Sequence, residues 1–167
     1  MDPARQLVIG IGNPLRGDDG VGWRLVEELT EELERQPATI ATECRTLHQL
    51  TPELAPELAA CDRVLFIDAW LAPEATHGED ERTPRDGLPR LRRLAIDTAA
   101  EAAFSHQLDP GQLLGMAHVL FGGCPRSDAL LVPAFAFGHG TAFSDRLRHQ
   151  LPTARRLLRH WLEGHHA

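Results

Sequence analysis

The amino-acid sequence predicts an α/β fold, a three-layer αβα sandwich around a mostly parallel five-stranded sheet. Short apolar runs alternate along the chain with amphipathic helical patterns, which is typical of parallel strands joined by helical crossovers. One run, Arg63–Asp68, has an unbroken apolar centre, as a central strand covered on both faces would have. The length of 167 residues suits one folding unit, so we predict a single domain over residues 1–167.

The chain opens with a strand, a turn and a helix. Leu7–Ile11 is short, apolar and rich in β-branched residues, and Gly12-Asn13-Pro14 ends it with a turn. From Asp19 onward apolar residues recur every four positions, which predicts an amphipathic helix. The residues of its apolar stripe are Val21, Leu25, Leu29 and Leu33.

The next unit ends in the clearest strand of the chain. Thr39–Arg45 has a strand pattern. Thr51 and Pro52 are typical of a helix N-cap and first helical position. Arg63–Asp68 follows as the third strand and ends on a carboxylate.

The second half begins with residues 71–90, which are rich in proline and charge and predict a surface loop. Leu91–Thr98 is the fourth predicted strand. Asp109-Pro110 starts a helix that Gly122-Gly123 ends.

Ala129–Phe137 is the last predicted strand, and a closing helix follows from Ser144, with Pro152 predicting a kink or interruption. In a sheet of order 2-1-3-4-5, the carboxyl ends of the first, third and fourth strands would converge. Ligands of such sheets bind at that edge.

Composition excludes several classes of function. Hydrophobic residues make up 43% and charged residues 25%, as in ordinary globular proteins. A net charge of −7 argues against binding to nucleic acid or to anionic membranes. All 17 basic residues are arginines, which excludes lysine-dependent Schiff-base and P-loop chemistry. None of the three serines lies in a G-x-S-x-G motif, so a serine hydrolase is not expected.

The sequence also carries expectations about location and assembly. It has no secretory signal pattern at its start and no run of about 18 apolar residues. We therefore expect a cytoplasmic protein without a membrane span, and we expect it to be a monomer.

Chemically notable side chains follow three of the predicted strands. Asp18 and Asp19 come after the first strand, where either could simply cap the next helix. Asp68 ends the third strand, where a charge after apolar residues loses hydration unless something pairs with it. His106 follows the fourth strand within Phe104–Leu108.

If these strand ends converge, Asp19, Asp68 and His106 offer two carboxylates and one imidazole to a divalent metal. Such a set leaves coordination positions open. It is compatible with nickel, zinc, manganese or iron, and the spacing does not choose among them.

Three segments resemble the successive signatures of the nickel–iron hydrogenase maturation endopeptidases. They are Gly10–Gly22 (GIGNPLRGDDGVG), Phe66–Ala69 (FIDA) and Ser105–Leu108 (SHQL). Their order and spacing match those of the family over nearly the whole chain.

The resemblance implies an endopeptidase that removes the C-terminal extension of a hydrogenase large-subunit precursor after nickel insertion. Asp19, Asp68 and His106 would bind nickel that the precursor already holds. The metal would serve for recognition and as a Lewis acid, and Asp19 or Asp68 would activate the attacking water. The sequence does not decide which aspartate is the catalytic base.

One segment departs from the common family pattern. Many members have a glycine-glycine-threonine segment after the second strand, whereas Thr46–Glu53 reads TLHQLTPE. This variant is similar to the maturation proteases of bidirectional, NAD-linked hydrogenases. His48 and Gln49 would then line the cleft and bind substrate.

Two alternatives remain from the sequence. A non-catalytic nickel-binding chaperone of hydrogenase maturation would use the same three ligands without hydrolysis. Peptidyl-tRNA hydrolase has a similar opening motif, but its threonine-arginine-histidine-asparagine signature is absent and a net charge of −7 does not suit tRNA.

Overall fold

The computed structural model describes residues 4–71, 87–98 and 108–164. Within these ranges one sheet contains β1 (Arg5–Ile11), β2 (Ala41–Leu47), β3 (Arg63–Leu71), β4 (Arg90–Arg93) and β5 (Arg126–Ala134). The order across the sheet is β2-β1-β3-β5-β4, and every pairing is parallel except that of β4 with β5. The predicted mostly parallel five-stranded sheet is therefore confirmed.

Helices cover both faces of this sheet, as the three-layer prediction requires. One face packs against α1 (Val21–Arg35) and α4 (Asp145–Leu162), and the other against α2 (Ala55–Ala59) and α3 (Pro110–Phe121). Consecutive residues of the central strands are buried in alternate layers, because a strand has a period of two. None of the helices in the described ranges combines the length and the apolar composition needed to cross a lipid bilayer.

The predicted strand order is wrong at one edge. β5 lies beside β3, and β4 is the edge strand, antiparallel to β5. The fourth strand is Arg90–Arg93 rather than Leu91–Thr98, and its sequence, RLRR, is half-exposed or exposed. β5 is mostly buried, so it occupies the central place that a strand with three arginines cannot. The carboxyl ends that meet are consequently those of β1, β3 and β5.

The third strand does not end at Asp68 as predicted, because β3 continues to Leu71 alongside β5. Two other strands are displaced from their predicted bounds. β2 begins and ends two residues later than Thr39–Arg45, and β5 begins and ends three residues earlier than Ala129–Phe137. Of the predicted loop at residues 71–90, positions 72–86 lie outside the described residues.

The ends of the long helices follow the capping signals of the sequence. The Asp109 side chain accepts the Gln112 N–H (2.9 Å), while the Gln112 side chain accepts the Asp109 N–H (3.0 Å). Gly122 ends α3 with a left-handed φ of 72°. Pro152 does not interrupt α4, which is continuous, because an exposed proline removes only one hydrogen bond on the solvent side.

Glycines allow α1 to approach β1 and β3 closely. A Cβ atom on Gly22 would lie 2.5 Å from the carbonyl oxygen of Ile67 and 2.7 Å from that of Ile11. A Cβ atom on Gly10 would collide with the Gly22 carbonyl oxygen. The start of α1 therefore lies directly against the carboxyl ends of two central strands.

We expect Gly22→Ala to lower the free energy of unfolding by about 2–3 kcal/mol, because the added methyl group would overlap backbone atoms of two strands. Chemical denaturation measures this change. Gly138→Ala is the matched control, since a Cβ atom there meets nothing within 4 Å. Equal losses in the two variants would contradict the close-packing account.

Candidate functional site

The loop between β1 and α1 is anchored by the fully buried carboxylate of Asp18. Its Oδ2 accepts hydrogen bonds from the N–H groups of Phe135 (2.8 Å) and Ala136 (3.1 Å) and from the Ser144 hydroxyl (2.7 Å). Its Oδ1 accepts the Ser144 N–H (2.8 Å). Asp18 thus joins the end of β5 and the start of α4 to this loop, and it does not cap the helix that follows it.

Backbone hydrogen bonds secure the same junction. The Asp18 N–H donates to the Ala136 carbonyl (2.9 Å) and the Gly17 N–H to that of Gly140 (2.9 Å). The Gly140 N–H donates in turn to the Leu15 carbonyl (2.9 Å). The loop that carries Asp19 is therefore held on both sides.

Asp19 is the half-buried aspartate of this loop. Its Oδ2 accepts the Asn13 N–H at 2.9 Å. Gly12, with a φ of 133°, passes so close that a Cβ atom there would collide with the Asp19 carbonyl oxygen. A turn that only glycine permits therefore positions the Asp19 backbone.

Asp68 lies one residue beyond the last pairing of β3 with β1, that of Gly10 with Ile67. Burial raises the pKa of its carboxyl group to about 6, a hydrogen bond from the Ala69 backbone N–H opposes the rise, and the charge of Asp19 adds to it. Because β1 and β3 are parallel neighbours, Asp68 and the loop that carries Asp19 share the carboxyl edge of the sheet.

Neither of these two carboxylates has a cationic side chain as partner among the described residues, because every ion pair there involves a different acid. A pair of neighbouring carboxylates without a cation is chemically suited to a divalent metal. His106, the third predicted ligand, lies outside the described residues. Within those residues no group of three His, Cys, Asp or Glu side chains could hold a metal ion.

His48 and Gln49, the predicted substrate-binding residues, directly follow β2 at this same edge and are exposed. The indole of Trp23 lies beside His48. Its Nε1–H donates to the Leu47 carbonyl (2.9 Å), and its ring centroid is 5.0 Å from that of His48. Trp23 thereby connects the end of β2 to α1, and its ring packs beside that of His48.

Sequence reasoning identified neither Trp23 nor the anchoring role of Asp18. A signal for Trp23 was available, because it follows Asp19 by four residues, about one helical turn. No comparable signal existed for Asp18, whose partners are 117–126 positions away.

Several solved structures share this fold. A hydrogenase 2 maturation peptidase from a Thaumarchaeota archaeon is 20% identical at a TM-score of 0.60, with 97% of this chain and 99% of that chain covered. The hydrogenase maturating endopeptidase HybD from E. coli is 22% identical at a TM-score of 0.60, covering 96% and 93%. The NiFe-hydrogenase maturation protease HycI from Thermococcus kodakarensis is 23% identical at a TM-score of 0.57, covering 96% and 92%.

No family model and no curated protein matches this sequence. The chain has the fold of the hydrogenase maturation proteases and resembles them in its motifs. At these identities the likeness establishes the fold alone.

The adjacent aspartates Asp18 and Asp19 should differ in how much stability is lost when their charge is removed. We expect Asp18→Asn to destabilise the protein by about 2–3 kcal/mol, because an amide cannot accept all four hydrogen bonds. Asp19→Asn retains an oxygen for its single bond from Asn13 and should change stability by less than about 1 kcal/mol. Denaturation midpoints of both variants measure this, and a larger loss in Asp19→Asn would refute the assignment.

We expect Asp68→Asn to stabilise the metal-free protein by about 2 kcal/mol at pH 7.5. The pKa of Asp68 is about 6 in the folded protein against an ordinary value of 3.8, so ionisation of Asp68 opposes folding increasingly from pH 3.8 to 6 and fully above pH 6. Well below pH 3.8 the group is protonated in both states and the effect vanishes. At pH 4.5 the gain in free energy of unfolding, measured by denaturation, should be less than about half of the gain at pH 7.5. A gain that does not change with pH would contradict this explanation.

Proposed function

We propose that this protein is an endopeptidase that removes the C-terminal extension of a nickel–iron hydrogenase large-subunit precursor. The observation that carries the proposal is the pair Asp19 and Asp68, two carboxylates that share the carboxyl edge and have no cationic partner among the described residues. The motif resemblance and the shared fold of the maturation proteases support the same function.

Nickel enters this reaction as part of the substrate. A precursor that has received its nickel brings a cation to Asp19, Asp68 and His106, and the attraction replaces the repulsion between the two carboxylates. A precursor without nickel leaves that repulsion in place and binds more weakly. The site would thereby distinguish loaded from unloaded precursor without contacting the rest of the metal centre.

Peptide hydrolysis needs a polarised carbonyl group and an activated water. The substrate nickel supplies a Lewis acid close to the scissile bond. Asp19 or Asp68 would accept the proton of the attacking water, while the other carboxylate helps to hold the metal. The Asn13 N–H fixes one oxygen of Asp19.

The segment after β2 lies at the same carboxyl edge as the two aspartates. His48 and Gln49 are exposed, and Trp23 holds the backbone directly before them. We assign to these two side chains contacts with the precursor polypeptide. Their sequence favours the precursor of a bidirectional, NAD-linked hydrogenase as the substrate.

The decisive experiment incubates the protein with a cognate large-subunit precursor, nickel-loaded or nickel-free, and follows the loss of the C-terminal peptide by mass spectrometry. We expect cleavage of the loaded precursor only. Asp19→Asn, Asp68→Asn and His106→Ala should each lower the rate by about 100-fold or more. Asp62→Asn is the matched control, because this aspartate lies at the amino end of β3, and Asp68 lies towards the carboxyl end of the same strand.

Two other results of this experiment would contradict different parts of the proposal. Equal cleavage of loaded and nickel-free precursor would exclude nickel recognition. Tight nickel-dependent binding without loss of mass would replace the peptidase by the non-catalytic chaperone.

A further inference from the structure

A group of exposed arginines surrounds the junction that Asp18 anchors. Arg24 lies in the first turn of α1, and its guanidinium carbon is 6.0 Å from the ring centroid of Phe143. Arg146 lies in the first turn of α4, 4.0 Å from the ring centroid of Phe135. Arg148 donates from Nε (3.0 Å) and Nη2 (2.8 Å) to the Phe143 carbonyl. We call Arg24, Arg146 and Arg148, with Arg16, the arginine surface.

Arg16 connects this surface to the aspartate site. It is exposed, and its backbone bridges to Gly140 in the loop between β5 and α4. Arg16 also belongs to the same short loop as Asp19, three residues away. The arginine surface and the carboxylate pair are therefore parts of one continuous edge.

Most of the positive charge of this surface is not neutralised. Arg148 approaches an Asp145 oxygen at 3.5 Å, and both side chains are largely exposed. Arg16, Arg24 and Arg146 form no ion pair with any described residue. This cluster stands out on a chain whose net charge is −7.

The helix dipole does not explain the positions of these arginines. Arg24 and Arg146 lie in the first turns of helices, where the helix dipole disfavours cations. The aromatic rings hold the guanidinium groups against the surface while leaving them accessible. Such pre-oriented guanidinium groups suit bidentate binding of carboxylates.

We infer that the arginine surface docks an acidic segment of the protein substrate, beside the aspartate pair that receives its metal. The inference rests on the proposed function. Asp19 and Asp68 repel carboxylates and attract a cation, whereas the arginine surface does the opposite. A substrate with a cation and an acidic segment therefore binds in one orientation, which aligns its scissile bond with the site.

The test compares two double variants of equal charge. The first, Arg24→Glu with Arg146→Glu, reverses the charge of two members of the arginine surface. The second, Arg156→Glu with Arg159→Glu, makes the same change of charge at exposed positions near the other end of α4. Arg148 is retained because it binds the Phe143 carbonyl. Cleavage of nickel-loaded precursor is measured for each between 50 and about 300 mM salt, together with its denaturation midpoint.

For the surface variant we expect KM to rise by about 10-fold or more while kcat changes by less than about 2-fold, with no loss of stability. The dependence of kcat/KM on salt should weaken in this variant only. Equal effects of the two double variants, or an unchanged KM, would overturn the inference while the peptidase function stands. Absence of cleavage by the unmodified protein would instead refute the proposed function and the inference with it.

Discussion

The carboxyl edge of the sheet depends on the hydrogen bonds that the buried carboxylate of Asp18 accepts. They join the loop after β1 to the chain leaving β5 and to the residue before α4, which follow Asp18 by 117–126 positions in sequence. A buried charge is tolerated only when its acceptor capacity is used, so the donors and the loop have to meet in one geometry. Asp19 is the next residue, and its position follows from that geometry.

Most helices and strands could be predicted from local patterns, because the residues that determine each element lie within it or at its ends. The alternating burial of β1 and β3 follows from apolar runs, and α3 begins where Asp109 and Gln112 can cap each other. The order of strands in the sheet could not be predicted in this way, because it depends on whether β4 or β5 is the better strand to bury beside β3. The arginines of β4 contain that information, but only in comparison with the apolar β5.

The site was partly predictable for the same reason. Asp19 follows β1, and Asp68 lies in β3 just beyond its last pairing with β1, so the proximity of these two residues could be expected from two parallel neighbouring strands. The anchoring of Asp18 could not, since its partners are mainly backbone N–H groups, which every sequence offers. Trp23 could have been expected at this edge, because it follows Asp19 by about one helical turn. The participation of His106 stays a prediction, because the described residues do not include it.

The polar edges of the sheet limit how another chain can bind. β4 presents three arginines at one edge, and β2 presents Glu43 and Arg45 in ion pairs at the other. Charged edge strands resist the addition of an extended chain as a further strand. A second polypeptide is therefore not expected to bind along either edge strand through its backbone. Binding through side chains at the carboxyl ends of the central strands, where Asp19 and Asp68 lie, is not restricted in this way.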